Sequence, residues 1–206
     1  MKKLLHIIAT PRGEESRTLK VADAFLEEFR AEHPDWAVED LDLSKEELPS
    51  LTLKRVDGKY ILLSGKDLSG ELKEAWEEIV RHIERFMSAD GYLISTPMWN
   101  FSIPYTLKHY IDVIIQPKYL FRYTAAGSEG LVKNRKMVVI ASRGGDYSAG
   151  KARAADFQEP YLRAIFGLVG ITDISFVVAQ PMDMGPELQK QKINEAQQAA
   201  RAAAKF

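Results

Sequence analysis

Short β-rich apolar runs recur along this chain, each followed by a longer segment whose apolar residues return every three to four positions. That alternation admits few folds, because strands joined through helices lie parallel and need helices on both faces of the sheet. "KLLHIIA" (3–9) is a near-continuous apolar run suited to a strand buried on both sides. The helical segment after it, 18–33, puts Leu19, Val21, Ala22, Phe25, Leu26 and Phe29 on one stripe. "WAVEDLDL" (36–43) alternates like a strand nearer an edge, and 69–90 carries Leu72, Trp76, Ile79, Val80, Ile83 and Phe86 at helical spacing. Strands at 91–95, 136–141 and 173–179 and helices at 104–115, 160–170 and 185–204 continue the pattern. The expectation is one α/β domain over 1–206, with three layers, five helices and a five-stranded parallel sheet in the order 2-1-3-4-5. Two connections, 44–66 and 116–135, are longer than crossovers need, and long loops in compact domains usually carry function or meet a partner.

Composition narrows the function classes. With 28 basic and 29 acidic residues interspersed, the chain has no electrostatic footprint for nucleic acid or a membrane surface. Zero cysteines remove disulfides, thiolate metal sites and a cysteine nucleophile together. The histidines, at 6, 33, 82 and 109, share no metal-like spacing, so no metal site is expected. "MKKLLHIIATP" resembles a signal peptide, but the apolar run is short and charge follows at once; a first strand and a cytoplasmic protein are expected.

In the expected strand order, the loops after the first, third and fourth strands meet where the order reverses, which is where open parallel sheets bind ligands. The first loop, "TPRGEESRT" (10–18), supplies the hydroxyls of Thr10, Ser16 and Thr18 with Arg12 and Arg17, just before a helix whose free N–H groups favour an anion. It lacks both the Gly-x-Gly-x-x-Gly of a dinucleotide turn and the Gly-Lys-Ser/Thr of a triphosphate loop, so a terminal phosphate monoester suits it best. Taken singly, Ser16 or Thr18 reads as an ordinary helix cap. The second loop, "TPMWNFSIP" (96–104), sets Met98, Trp99, Asn100 and Phe101 in succession. Four such residues cannot all face one core, and a flat heteroaromatic ligand or a partner subunit would cover the others. The third loop, "SRGGDYS" (142–148), offers Ser142, Arg143 and the side-chain-free Gly144 and Gly145, where main chain can approach a ligand edge. "DYSAG" (146–150) is one residue away from a serine nucleophile elbow, with Asp146 in place of its first glycine, and is discounted as one.

The segments "PMWNFSIPYTLKHYID", "FRYTAAGSEGLVKNRK", "SRGG" and "PYLRAIFGLVGITD" together resemble the FMN-dependent NADH azoreductases, also called NADH:quinone oxidoreductases, of the flavodoxin-like superfamily. The resemblance runs in order from the first strand to about residue 185. It implies a flavodoxin-like homodimer that binds FMN and takes a hydride from NADH, with NADPH an open alternative. The acceptors it implies are quinones, azo compounds or nitroaromatics, reduced by a ping-pong route. By the same resemblance Thr10, Ser16 and Thr18, with Arg17, hold the FMN phosphate, and Arg12 is expected to join them from its place in the loop. Met98 to Phe101 flank the isoalloxazine, Ser142 to Gly145 meet its pyrimidine edge, and Phe121, Tyr123 and Leu168 line the substrate pocket. No side chain is assigned as catalytic, since flavin carries the chemistry; a proton comes from water or, as the speculative alternative, Tyr123. The segment "YLFRYT" (119–124) is expected at or beside the dimer contact. Relatives commonly have serine where Thr10 stands, tyrosine where Trp99 stands, and in some cases an aromatic residue where Leu168 stands. A different class, an electron-transfer or regulatory flavodoxin with no organic substrate, fits the balanced charge less well.

Overall fold

The computed structural model describes residues 1–205. Five parallel strands form one sheet: β1 (Lys2–Ile8), β2 (Trp36–Asp42), β3 (Gly91–Pro97), β6 (Lys136–Ser142) and β7 (Asp173–Ala179), in the order β2-β1-β3-β6-β7. With the hairpin β4 (Phe121–Thr124) and β5 (Gly127–Gly130) set aside, this is the expected 2-1-3-4-5 order. The period-two alternation of strand side chains splits the core into two layers. Leu4 of β1 and Leu93 of β3 face α1 (Arg17–Glu32) and α6 (Pro186–Ala203), packing with Phe25, Phe29 and Ala200. Leu5, Ile7, Tyr92 and Ile94 face the other way. They meet Trp76, Ile83 and Phe86 of α3 (Gly70–Met87), Tyr110 of α4 (Tyr105–Ile114) and Phe166 of α5 (Glu159–Leu168).

His6, a polar residue in the middle of the apolar run "KLLHIIA", is buried and satisfied on both ring nitrogens. Nδ1 lies 2.9 Å from Asp40 Oδ1 and Nε2 2.8 Å from Ser95 Oγ. The arrangement has the connectivity of a hydrolytic triad, but Ser95 is fully buried and no substrate reaches it. It is a structural polar network across β2, β1 and β3.

Two expectations need correction. The polar connection 44–66 contains a sixth helix, α2 (Leu53–Leu63). An isolated helix of 11 residues with an internal glycine is marginal in water, so its periodicity was a weak signal; tertiary contacts make it. Trp76 Nε1 donates to Arg55 O at 3.0 Å, Arg55 Nε donates to Ala75 O at 2.9 Å, and Leu62 enters the core. The second concerns "YLFRYT", in the connection 116–135: read from one subunit's sequence it has no evident sheet to join, but β4 pairs antiparallel with β5 within the same chain. The hairpin is fastened to α5's exit by the Val132 N–H, which donates to Val169 O at 2.8 Å. A Cβ on Gly130 would meet Gly170 N at 2.2 Å, so only glycine permits that approach. The aromatic face also runs from core to solvent and is not uniformly exposed: Phe121 is 6% exposed and packed in the core, whereas Tyr123 is 67% exposed.

Candidate cofactor site

The carboxyl ends of β1, β3, β6 and β7 carry four loops that surround a cavity of about 270 Å³. Thr10, Ser16 and Thr18 are all buried at its floor. Ser16 caps α1, its Oγ accepting from Leu19 N at 3.3 Å, which leaves the hydroxyl hydrogen free for a ligand. Thr18 Oγ1 lies 2.7 Å from Ser142 Oγ, which ties the first loop to the third. Arg17 Nη1 donates to Asp183 Oδ1 at 2.5 Å across the cavity mouth, and Arg12 is exposed at the rim.

The second loop is a tight turn. The Trp99 N–H donates to Ser102 O and the Ser102 N–H to Trp99 O, both at 2.9 Å, with Asn100 and Phe101 between them at φ of +46° and +70°. Two successive left-handed residues bend the chain sharply, and asparagine tolerates that region better than phenylalanine does. The turn throws Trp99 (38% exposed) and Phe101 (50% exposed) outward while Ile103 goes into the core. Met98 is half-buried and its N–H donates to Ser142 O at 2.8 Å, holding the loop against β6.

In the third loop Gly144 leaves room for the Asp183 carboxylate, since a Cβ there would lie 2.3 Å from Asp183 Oδ2 and displace it. Arg143 is brought here by its main chain only. Its guanidinium is buried the other way, with Nε donating to Gln158 Oε1 at 3.0 Å and Nη1 2.9 Å from Asp156 Oδ2. Ser148 follows no nucleophile geometry. Its hydroxyl and N–H both donate to Asp146 Oδ1, and these bonds hold that carboxyl below the usual carboxylate range.

Sequence reasoning missed the fourth loop, between β7 and α6. Met182 and Asp183 line the first cavity, and Tyr147, Asp183 and Met184 line an adjoining one of about 510 Å³ with Met98, Asn100, Phe101, Gly144 and Gly145. The signal was available, because every loop after a strand of a parallel sheet opens on the same edge. Phe121, Tyr123 and Leu168 line neither cavity. α4 and α5 run back from that edge, so the ends Ile114 and Leu168, and the hairpin fastened beside them, sit near the amino ends of the strands. One protomer does not bring these three residues to the flavin-type loops.

The donor set fits FMN. Three buried hydroxyl residues and a guanidinium at a helix N-terminus suit a phosphate monoester, and the outward aromatic turn beside Gly144 and Gly145 suits a flat ring with a polar edge. Among the described residues no group of three or more His, Cys, Asp or Glu is placed to hold a metal ion, and no helix is long and apolar enough to cross a membrane.

Comparison with known proteins agrees with this geometry. A family model described as flavodoxin-like fold matches residues 2–204. An FMN-dependent NADH:quinone oxidoreductase of Nitratidesulfovibrio vulgaris is 42% identical over 209 residues, covering 100% of both chains. One from Rhizobium meliloti is 39% identical, covering 95% of this chain and 93% of its own. Among solved structures, azoreductase from Bacillus anthracis superposes with a TM-score of 0.90 at 30% identity, covering 100% of this chain and 99% of its own. An FMN-dependent NADH-azoreductase of the same species, in complex with FMN, gives 0.84 at 30% identity, with 99% and 100% covered. The chain belongs to the family of FMN-dependent NADH:quinone oxidoreductases built on the flavodoxin-like fold.

Proposed function

We propose that this protein is an FMN-dependent oxidoreductase that uses NADH to reduce quinones and azo compounds, working as one domain in a cytoplasmic homodimer. The observation that carries the proposal is the joining of the phosphate-type loop to the outward aromatic turn by Ser142. Its hydroxyl meets Thr18 and its carbonyl meets the Met98 N–H.

FMN, when bound, supplies hydride-accepting and hydride-donating chemistry. The protein's own residues bind and orient. Thr10, Ser16 and Thr18 donate hydroxyl hydrogens to the phosphate, and Arg17 with Arg12 neutralises it. Met98, Trp99 and Phe101 wall the ring and exclude water, and Asn100 and the main chain of Ser142 to Gly145 offer polar contacts to its edge. The sequence encodes no second nucleotide fold, so donor and acceptor would share one site in turn. NADPH is the alternative donor, and nitroaromatics join the acceptor class.

Exposure supports the dimer. Trp99 and Tyr105 have ring centroids 6.5 Å apart, and Tyr105 (75% exposed) and Phe157 (60% exposed) extend the same apolar rim around the turn. A second copy covering that rim would bury it, and only a second copy could bring Phe121, Tyr123 and Leu168 near the acceptor.

The experiment is release and mass identification of the flavin, then stopped-flow reduction by NADH and by NADPH, followed by a panel of quinones, azo dyes and nitroaromatics. FMN and parallel double-reciprocal lines are expected. FAD in the released cofactor, or intersecting lines, would overturn the respective part.

A further inference from the structure

The aromatic turn is held in place by a segment further along the connection from β6 to α5, anchored by the buried Gln158. Residues Asp156, Phe157 and Gln158 precede α5 and touch both ends of the turn. Gln158 Nε2 donates to Pro97 O at 2.9 Å, and the Phe157 N–H donates to Phe101 O at 3.0 Å. The same segment is locked to the third loop through Arg143, whose Nε donates to Gln158 Oε1 at 3.0 Å and whose Nη1 lies 2.9 Å from Asp156 Oδ2. Asp156 Oδ1 in turn accepts from the N–H groups of Gln158 and Glu159 at 3.0 and 3.1 Å, fixing the start of the helix. Gln158 is 0% exposed and Arg143 3% exposed, so water does not compete for these bonds.

The chemistry of the partners dictates the side chain. A guanidinium only donates and a prolyl carbonyl only accepts, so the group between them must accept on one side and donate on the other. A carboxamide does both, and its orientation is forced. Asn100 and Phe101 sit in left-handed backbone, which persists only where the surroundings over-determine it.

We propose that Gln158 is a positioning residue for the reaction. Its amide, braced by Arg143, sets the height and tilt of the Met98–Phe101 turn over the ring-binding cavity and so the distance across which hydride passes. The inference rests on the reading of that turn as the isoalloxazine site.

Gln158→Glu isolates the bond that matters. The carboxylate keeps and strengthens the contact with Arg143 and suits a helix N-terminus, but it faces Pro97 O with no hydrogen to give. The folded variant is expected to show about tenfold faster hydrogen exchange across residues 97–104 in the cofactor-free protein, several-fold weaker FMN binding by fluorescence titration, and about tenfold slower reduction by saturating NADH. The exchange defect should shrink as pH is lowered and the introduced carboxyl protonates, because it then regains a donor; a merely structural substitution would not recover. If Gln158→Glu does not fold, Arg143→Lys serves, since lysine keeps a charge beside Asp156 but loses the fork that reaches Gln158. Wild-type exchange and wild-type FMN affinity in either folded variant would overturn the proposal. A wild-type protein that takes up no flavin would instead overturn the cofactor reading, and exchange in the cofactor-free chain would still decide the brace.

Discussion

Asp183 holds Arg17 at 2.5 Å, joining the first residue of α1 to the loop after β7 across the mouth of the phosphate cavity. A carboxylate beside an anion site competes with the ligand for the same guanidinium. Asp183→Asn should therefore tighten FMN binding by about 0.2–1 kcal/mol, the worth of a partly exposed ion pair, and leave riboflavin binding unchanged. Combined Arg17→Ala and Ser16→Ala should weaken FMN by about 2–5 kcal/mol, since both charge-assisted bonds to the phosphate are lost. Fluorescence titration checks each. Equal changes for FMN and riboflavin would place the phosphate elsewhere.

Gly144→Ala should break that pair without unfolding the protein. The added Cβ would lie 2.3 Å from Asp183 Oδ2, and the Asp183 side chain is 65% exposed and free to swing away. FMN affinity should fall because the methyl group enters the wall shared by the two cavities, while the thermal midpoint moves by no more than about 2 °C. A large loss of stability with unchanged affinity would show that Gly144 serves the fold alone.

Acid should unfold the protein partly through Asp40. The hydrogen bond from His6 holds its carboxyl below the ordinary value of 3.8, although burial pushes the other way. A depressed folded pKa contributes stability above the unfolded value that is lost as pH falls through the folded one. Urea unfolding at a series of pH values should show Asp40→Asn less stable than the parent at neutral pH. That gap should narrow below 3.8 and stay small, because the Asp40 side chain is 60% exposed. A gap that does not close in acid would assign the effect to packing.

Tyr123→Ala tests the contribution of a second copy. The side chain is exposed on β4, far from the cavity of its own protomer, so removal should slow acceptor reduction more than reduction by NADH and leave FMN affinity intact. Phe121 is no part of that exposed surface, since it lies in the core, and Phe121→Asp would unfold the hairpin. Sedimentation at the assay concentration belongs beside the Tyr123 kinetics. A monomer with full turnover would sink the dimer reading.

The sheet was legible because its information is local. A strand buried on both faces must read as an apolar run, as "KLLHIIA" and "KMVVIA" do, and a covering helix must carry a stripe, as Phe25 and Phe29 show. The three flavin-type loops were legible for a related reason: Trp99 and Phe101 are too apolar for a loop that binds nothing, and the strand order dictates which loops meet. What the sequence could not carry depends on contacts between distant residues. Helix α2 exists because Trp76 donates to the Arg55 carbonyl and Ala75 accepts from the Arg55 guanidinium, and the hairpin lies on its own domain because Gly130 meets Gly170. Arg143 sits in a ligand-type loop, yet its buried guanidinium points away from the cavity and pairs with Asp156 and Gln158. Asp183, 166 positions from Arg17, became part of the site only when β7 and α6 folded back. Local pattern reports which face of an element is apolar; which polar groups meet is decided by the packing of elements far apart in the chain.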